Sequence, residues 1–125
     1  MESVLISACF FGIPCRYHGR KKKYRKKLIE KLSKRYNLIP VCPEVLGGLP
    51  VPREPVKLEN RKVIGKKTGK DYTLSFLAGS KLTLLIANAT KSERAYFKKG
   101  SPSCDKNGIA GKLLIENNIK VISIP

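Results

Sequence analysis

The sequence predicts an α/β fold: a single-domain, doubly wound and mostly parallel sheet with helices on both faces and a small antiparallel edge hairpin. Two observations predict it. Short apolar or β-rich runs alternate along the chain with stretches of helical periodicity, the pattern of a sheet built through crossover helices. Three cysteines, Cys9, Cys42 and Cys104, also stand after such runs: Val4-Leu5-Ile6-Ser7-Ala8, Leu38-Ile39-Pro40-Val41 and, less cleanly, Ala95-Tyr96-Phe97. Ligands of open α/β sheets gather outside the carboxyl ends of the strands. The three thiols are therefore expected at one rim, where thiolates suggest a soft-metal site. A chain of 125 residues suits one compact domain, 1–125, with a modest core.

The first strand is expected from about Val4 to Ala8, followed by a loop through Gly12 and Pro14. A basic helix is expected from about Arg20 to Lys34. Tyr24, Leu28 and Leu32 recur four apart there with Ile29 beside them, while Lys22, Lys23, Lys26 and Lys27 lie elsewhere around it. A second strand follows near Leu38 to Val41. The stretch from Pro43 to Pro55 contains Pro50, Pro52 and Gly47-Gly48, which predicts a shaped loop rather than a helix or central strand. Loops of that length usually carry function. Val56 to Leu58 and Arg61 to Ile64 read as short edge strands, and Lys67-Thr68-Gly69-Lys70 as a turn. Thr73 is expected to N-cap a helix reaching about Asn88. Its buried stripe is predicted as Leu74, Leu77, Ala78, Leu82, Leu85, Ile86 and Ala89, with Gly79 allowing close approach of a neighbour. A third core strand is expected near Ala95 to Lys98, then a tight loop Gly100-Ser101-Pro102-Ser103-Cys104, a helix from about Ile109 to Glu116, and a last strand from Ile119 to Ile124.

The charge balance is extreme: 26 Lys and Arg against 9 Asp and Glu give a formal net charge of +17. Eleven of the cations fall between Arg16 and Arg35. Such a field attracts polyanions, so the basic helix reads either as an RNA-binding surface or as the solvated face of an ordinary packed helix. The apolar stretch from Val4 to Cys15 is too short to span a bilayer, and Met1-Glu2-Ser3 lacks a basic leader region. A cytoplasmic location without membrane contact is expected, where thiols stay reduced and four cysteines read as metal-binding or catalytic. Their gaps of 6, 27 and 62 positions contain no C-x-x-C pair, which argues against a zinc ribbon and a thioredoxin-type pair.

Read together, the loops have a specific wording. Ser7-Ala8-Cys9-Phe10-Phe11-Gly12 and Arg16-Tyr17 are followed by the long string Val41-Cys42-Pro43-Glu44-Val45-Leu46-Gly47-Gly48-Leu49-Pro50. Pro52-Arg53-x-Pro55, Gly69-x-Asp71-x-Thr73-x-x-Phe76-x-x-Gly79 and Ser101-Pro102-Ser103-Cys104 continue the pattern. In this order and spacing the chain resembles the iron–sulfur-dependent thiouracil desulfurase (desulfidase) family over nearly its whole length. It departs from the pattern at His18, where Asp usually follows Arg-Tyr, and at Asp105, where Gly usually follows the last cysteine.

The resemblance implies a 4Fe-4S cluster held by Cys9, Cys42 and Cys104, with one iron left open to the thione sulfur of a thiolated pyrimidine base or nucleoside. It further implies non-redox, hydrolytic replacement of that sulfur by oxygen, with Glu44 activating water and Ser101 assisting by hydrogen bonding. Each residue also has a plainer reading. Cysteines pack as small hydrophobes, Glu44 can pair with a lysine, Ser101 can organise a turn with Ser103 as its substitute, and Arg53 can orient substrate or form a salt bridge. Cys15 reads as a packed or merely neighbouring thiol, and His18 has no assigned role. Two alternatives to the enzyme stay open: a basic RNA-binding protein, and a non-catalytic interaction module that is metal-free or binds zinc.

Overall fold

A computed structural model describes residues 1–19 and 24–125. Four strands, β1 (Glu2–Ser7), β2 (Tyr36–Val41), β5 (Arg94–Lys98) and β6 (Lys120–Ile124), form one sheet in the order β2-β1-β5-β6 with every pairing parallel. The remaining strands, β3 (Val56–Glu59) and β4 (Lys62–Gly65), make a separate antiparallel hairpin. Its turn residues, Asn60 and Arg61, both have positive φ (47° and 65°), as a two-residue turn matched to strand twist requires. The helices are α1 (Lys26–Ser33), α2 (Pro43–Leu46), α3 (Thr73–Ala89) and α4 (Ile109–Glu116). No helix among the described residues is long and apolar enough to cross a membrane.

Alternation along β1 divides the core. Leu5 packs with Val41, Ala87, Ala95, Phe97, Leu114 and Val121 on the face covered by α3 and α4, whereas Ile6 packs with Phe10, Ile29 and Leu32 on the α1 face. Burying Ile29 and Leu32 is worth about 1.5–3 kcal/mol each, which holds the two-turn α1 against the sheet. Pro40 lies within β2 without breaking the sheet because β2 is an edge strand, where one side needs no ladder donor. The chain runs from β1 outward to β2 and then returns past β1 to β5. The strand order therefore reverses between β1 and β5, and their carboxyl ends flank the crevice where such folds bind ligands.

Four expectations need correction. The predicted start of the basic helix, Arg20 to Lys23, lies outside the described residues, and Tyr24 and Arg25 precede α1. Arg25 donates its backbone N–H to Phe10 O (2.9 Å), so the chain is still docked on the turn after β1 and becomes helical only at Lys26. The proline-rich stretch is not wholly a loop. Pro43 opens the one-turn α2, since proline at a first helical position sacrifices only an N–H that lacks a helical partner anyway. Thr73 is the first residue of α3 rather than its cap. Its hydroxyl accepts the Val63 N–H (2.9 Å), and the Asp71 carboxylate accepts the Thr73 N–H (2.8 Å).

The fourth correction is the largest. Leu74, Leu77, Leu82 and Leu85 are exposed, Leu74 at 82%, while Phe76, Gly79, Ser80, Thr83 and Ala87 form the buried face of α3. Close packing is the reason. A Cβ at Gly79 would lie 1.9 Å from Pro43 O, and one at Gly47 would lie 2.1 Å from Ser75 O, so α2 meets α3 backbone to backbone. Only small residues fit there. The buried hydroxyls are satisfied within the helix, Ser80 donating to Leu77 O (2.8 Å) and Thr83 to Gly79 O (2.7 Å).

Candidate active site

Three strand ends build one rim. After β1 a short 3-10 turn, Ala8–Phe11, ends on Gly12 with φ 80°, a left-handed conformation suited to glycine, and this turn carries Cys9. Cys42 follows β2 directly and precedes α2. Cys104 lies in the loop after β5, which the start of α4 fixes: Ala110 and Gly111 donate their N–H groups to Ser103 O (2.8 and 3.1 Å). Asp105, one of the departures from the desulfurase pattern, braces this loop by accepting the Gly100 N–H (2.7 Å) and the Ser123 hydroxyl.

Cys9, Cys42, Cys104, Glu44 and Ser101, all five of the residues singled out from sequence, line a single cavity of about 170 Å³. Cys15, Arg16, Arg53, Lys98, Lys99 and Ser103 line it as well. His18 does not; its ring lies edge-on to Tyr17 at 5.0 Å between centroids. None of the four cysteines is in a disulfide. The Cys42 thiol faces the Cys15 backbone carbonyl (Sγ to O, 3.8 Å), and its interaction with the Cys15 side chain holds the Cys42 pKa down to about 6 while that interaction and burial drive Cys15 upward. Burial pushes Cys104 up to about 11, against opposing hydrogen bonds from Ser101 and Ser7.

Glu44 is held from two sides. Arg53 Nε donates to its Oε1 (3.1 Å), with the two side chains only 7% and 12% exposed, and Ser103 Oγ donates to its Oε2 (2.9 Å). Arg53 is itself fixed by bonds from its guanidinium to Cys15 O (2.9 Å) and Pro50 O (3.2 Å), and from its backbone N–H to Tyr17 O (2.5 Å). It thus clamps the Cys15–Tyr17 loop to the α2 segment. Ser101 Oγ accepts the N–H groups of Ser103 (3.3 Å) and Cys104 (3.2 Å) and lies 3.1 Å from Ser103 Oγ. Because the Ser103 proton goes to Glu44, the Ser101 hydroxyl donates to Ser103, giving a chain Ser101, Ser103, Glu44.

Cys9, Cys42 and Cys104, on the wall of one cavity, are the ligand type that an iron–sulfur cluster takes. Among the described residues no three His, Cys, Asp or Glu side chains are grouped to hold one metal ion. A mononuclear zinc site would draw its sulfurs to ~2.3 Å from a common centre, whereas cysteines spread around a cavity can each take a different iron of a cluster. Arg16, Lys98 and Lys99 line the same wall and would offset the charge of three cysteines ligating as thiolates.

Sequence reasoning did not foresee the Ser103–Glu44 bond, the Cys15–Cys42 pair or the bond of Ser7 to Cys104. Each joins loops that only the strand order brings together; the Ser103 and Glu44 partners are 59 positions apart. Proximity of Ser103 to Cys104 in sequence was the one available signal.

Known proteins share this fold and sequence pattern. The sequence profile of the 2-thiouracil desulfurase family matches residues 4–124. An uncharacterized protein of Bacillus subtilis (strain 168), YbbK, is 34% identical across 81% of this chain and 72% of its own length. A solved structure of the [4Fe-4S]-dependent thiouracil desulfidase TudS superposes with a TM-score of 0.88 at 32% identity, covering 98% of this chain and 91% of that one. With a matching profile across almost its entire length and the same fold at clear sequence identity, this chain belongs to the 2-thiouracil desulfurase family.

Proposed function

We propose that residues 1–125 act as one desulfidase domain that hydrolytically replaces the thione sulfur of a thiolated pyrimidine base or nucleoside by oxygen, without net electron transfer. The observation that carries this reading is the convergence of Cys9, Cys42, Cys104, Glu44 and Ser101 on one cavity at the carboxyl rim of the sheet. A 4Fe-4S cluster held by the three cysteines would supply a Lewis-acidic iron for the soft thione sulfur. In this reading Glu44 takes a proton from a water directed at the sulfur-bearing carbon. Arg53 and Ser103 fix both carboxylate oxygens, so little reorganisation is needed as that proton moves. The Ser101 hydroxyl steadies Ser103 and, through its bond from the Cys104 N–H, ties the relay to a cluster ligand.

The test is anaerobic purification and reconstitution, followed by iron and sulfide analysis and by incubation with 2-thiouracil and a thiolated uridine. About four irons and four sulfides per chain, lost on Cys→Ser change at position 9, 42 or 104, with release of hydrosulfide and the oxo product, are expected. A wild-type chain that takes up no iron sinks the reading and promotes the interaction module.

RNA remains a second partner to test because the described cations of α1, Lys26, Lys27 and Lys31, are exposed opposite the buried Ile29 and Leu32. Affinity for RNA that falls steeply with salt supports that surface; no binding at low salt removes it. A cytoplasmic location is part of the same proposal, since a reducing compartment keeps the thiols available.

A further inference from the structure

We propose that Ser7 is a positioning residue that donates a hydrogen bond to the Cys104 sulfur and thereby sets the electron density of that cluster ligand; the inference rests on the cluster reading above. Ser7 ends β1 and is 3% exposed, and its Oγ lies 3.5 Å from Cys104 Sγ. The direction of the bond follows from the charge state of a ligating cysteine, and the other partner of Ser7 is compatible with it. Ser7 Oγ accepts the backbone N–H of Lys98 at 2.9 Å. A hydroxyl has one proton and two lone pairs, and a ligating cysteine is a thiolate with no proton to give. Against a thiolate, which can only accept, the Ser7 proton is directed to sulfur while one of its lone pairs takes the Lys98 N–H.

The backbone holds this geometry in place. The β1–β5 pairing runs through Leu5↔Ala95 and Ile6↔Tyr96, and Ser7 continues that contact with its side chain by taking the Lys98 N–H at the end of β5. The hydroxyl is therefore fixed by the two strands that flank the crevice. Ser101, the other hydroxyl near Cys104, accepts the Cys104 N–H (3.2 Å) and lies 3.1 Å from Ser103 Oγ.

Hydrogen bonds to ligand sulfurs, together with charge and solvent access, set the potentials of iron–sulfur groups. A donor to sulfur stabilises the more negative, reduced state, so its loss lowers the potential. The experiment compares the reconstituted wild type with Ser7→Ala and Ser7→Thr for iron and sulfide content, melting temperature and reduction potential by anaerobic spectroscopic titration. Full cluster content with a more negative potential in Ser7→Ala, and a near wild-type potential in Ser7→Thr, is the expected result. An unchanged potential in fully loaded Ser7→Ala overturns the proposal even if the melting temperature falls, because Ser7 would then only tie Lys98 to β1. If Ser7→Ala holds no cluster, Ser7→Thr decides: a wild-type potential supports the proposal and a displaced one overturns it. A wild type that itself takes up no iron fails at the earlier step, overturning the cluster reading and this inference together.

Discussion

Glu44 is set apart by its place in a cavity lined by cysteines, where one of its oxygens is anchored to Arg53 and the other to Ser103. Changing Glu44 to Gln keeps the shape of the side chain and removes its capacity to take a proton. The expected outcome is a cluster-loaded protein whose hydrosulfide release falls by about 10²–10⁴-fold. Unchanged turnover would remove Glu44 from the chemistry. Ser103→Ala should cost less, because Arg53 still holds one oxygen. Loss of one hydrogen bond to a charged group, ~1.5 kcal/mol, corresponds to about a tenfold fall in turnover with the cluster retained. Comparing the two variants separates proton transfer from positioning. At this scale the long string around Cys42 is what singled out Glu44; nothing in composition or spacing revealed that Ser103, rather than Ser101, touches Glu44.

At the scale of elements, most strands and α4 were legible because their apolar runs are short and separated by turn residues. Helix α3 was misread for a physical reason. It is apolar on several sides, so a three- and four-residue leucine stripe carries little information, and the true inner face is chosen by the closeness of α2. Gly79→Ala therefore places a methyl against Pro43 O and should destabilise the fold by ~1–3 kcal/mol. It should also lower turnover by displacing the α2 segment that carries Glu44, whereas Leu85→Gln on the exposed side should change stability by less than ~0.5 kcal/mol. Equal effects of the two in thermal denaturation would contradict this packing. The β3–β4 hairpin is joined to its surroundings by Glu54, whose carboxylate accepts the Thr68 hydroxyl (2.6 Å), the Tyr72 hydroxyl (2.6 Å) and the N–H groups of Lys67 and Thr68. The Thr68 and Tyr72 hydrogen bonds, foremost among these, lower its pKa from 4.5 to about 2. The folded state thus binds this proton more weakly than the unfolded chain does. The stabilisation is fully present above about pH 4.5 and is lost as pH falls toward 2. Glu54→Gln should be less stable than wild type near neutrality, with the difference closing across that interval; a gap independent of pH would show that the carboxylate charge plays no part.

For the whole molecule, alternating runs sufficed to predict a parallel α/β sheet, but not the order β2-β1-β5-β6, which depends on long-range packing across the two faces. Charge has a consequence on this scale that no single contact carries. With a net charge of +17, the compact state concentrates like charges that the unfolded chain spreads apart, and self-repulsion opposes folding. The ion pairs among the described residues, Lys26–Glu30, Glu44–Arg53, Lys57–Glu59 and Arg94–Glu2, involve few of the cations, and all but Glu44–Arg53 are substantially exposed. Exposed pairs contribute little and are themselves screened. Raising sodium chloride from about 0.01 M to about 1 M shortens the screening length from ~30 Å to ~3 Å, which weakens the many repulsions more than the few attractions. The melting temperature of the cluster-free protein should therefore rise with salt, and the rise should shrink in a variant whose exposed Lys26, Lys27 and Lys31 are replaced by Gln. A melting temperature that falls with salt would show that native ion pairs outweigh self-repulsion and that the basic surface imposes no net cost on the fold.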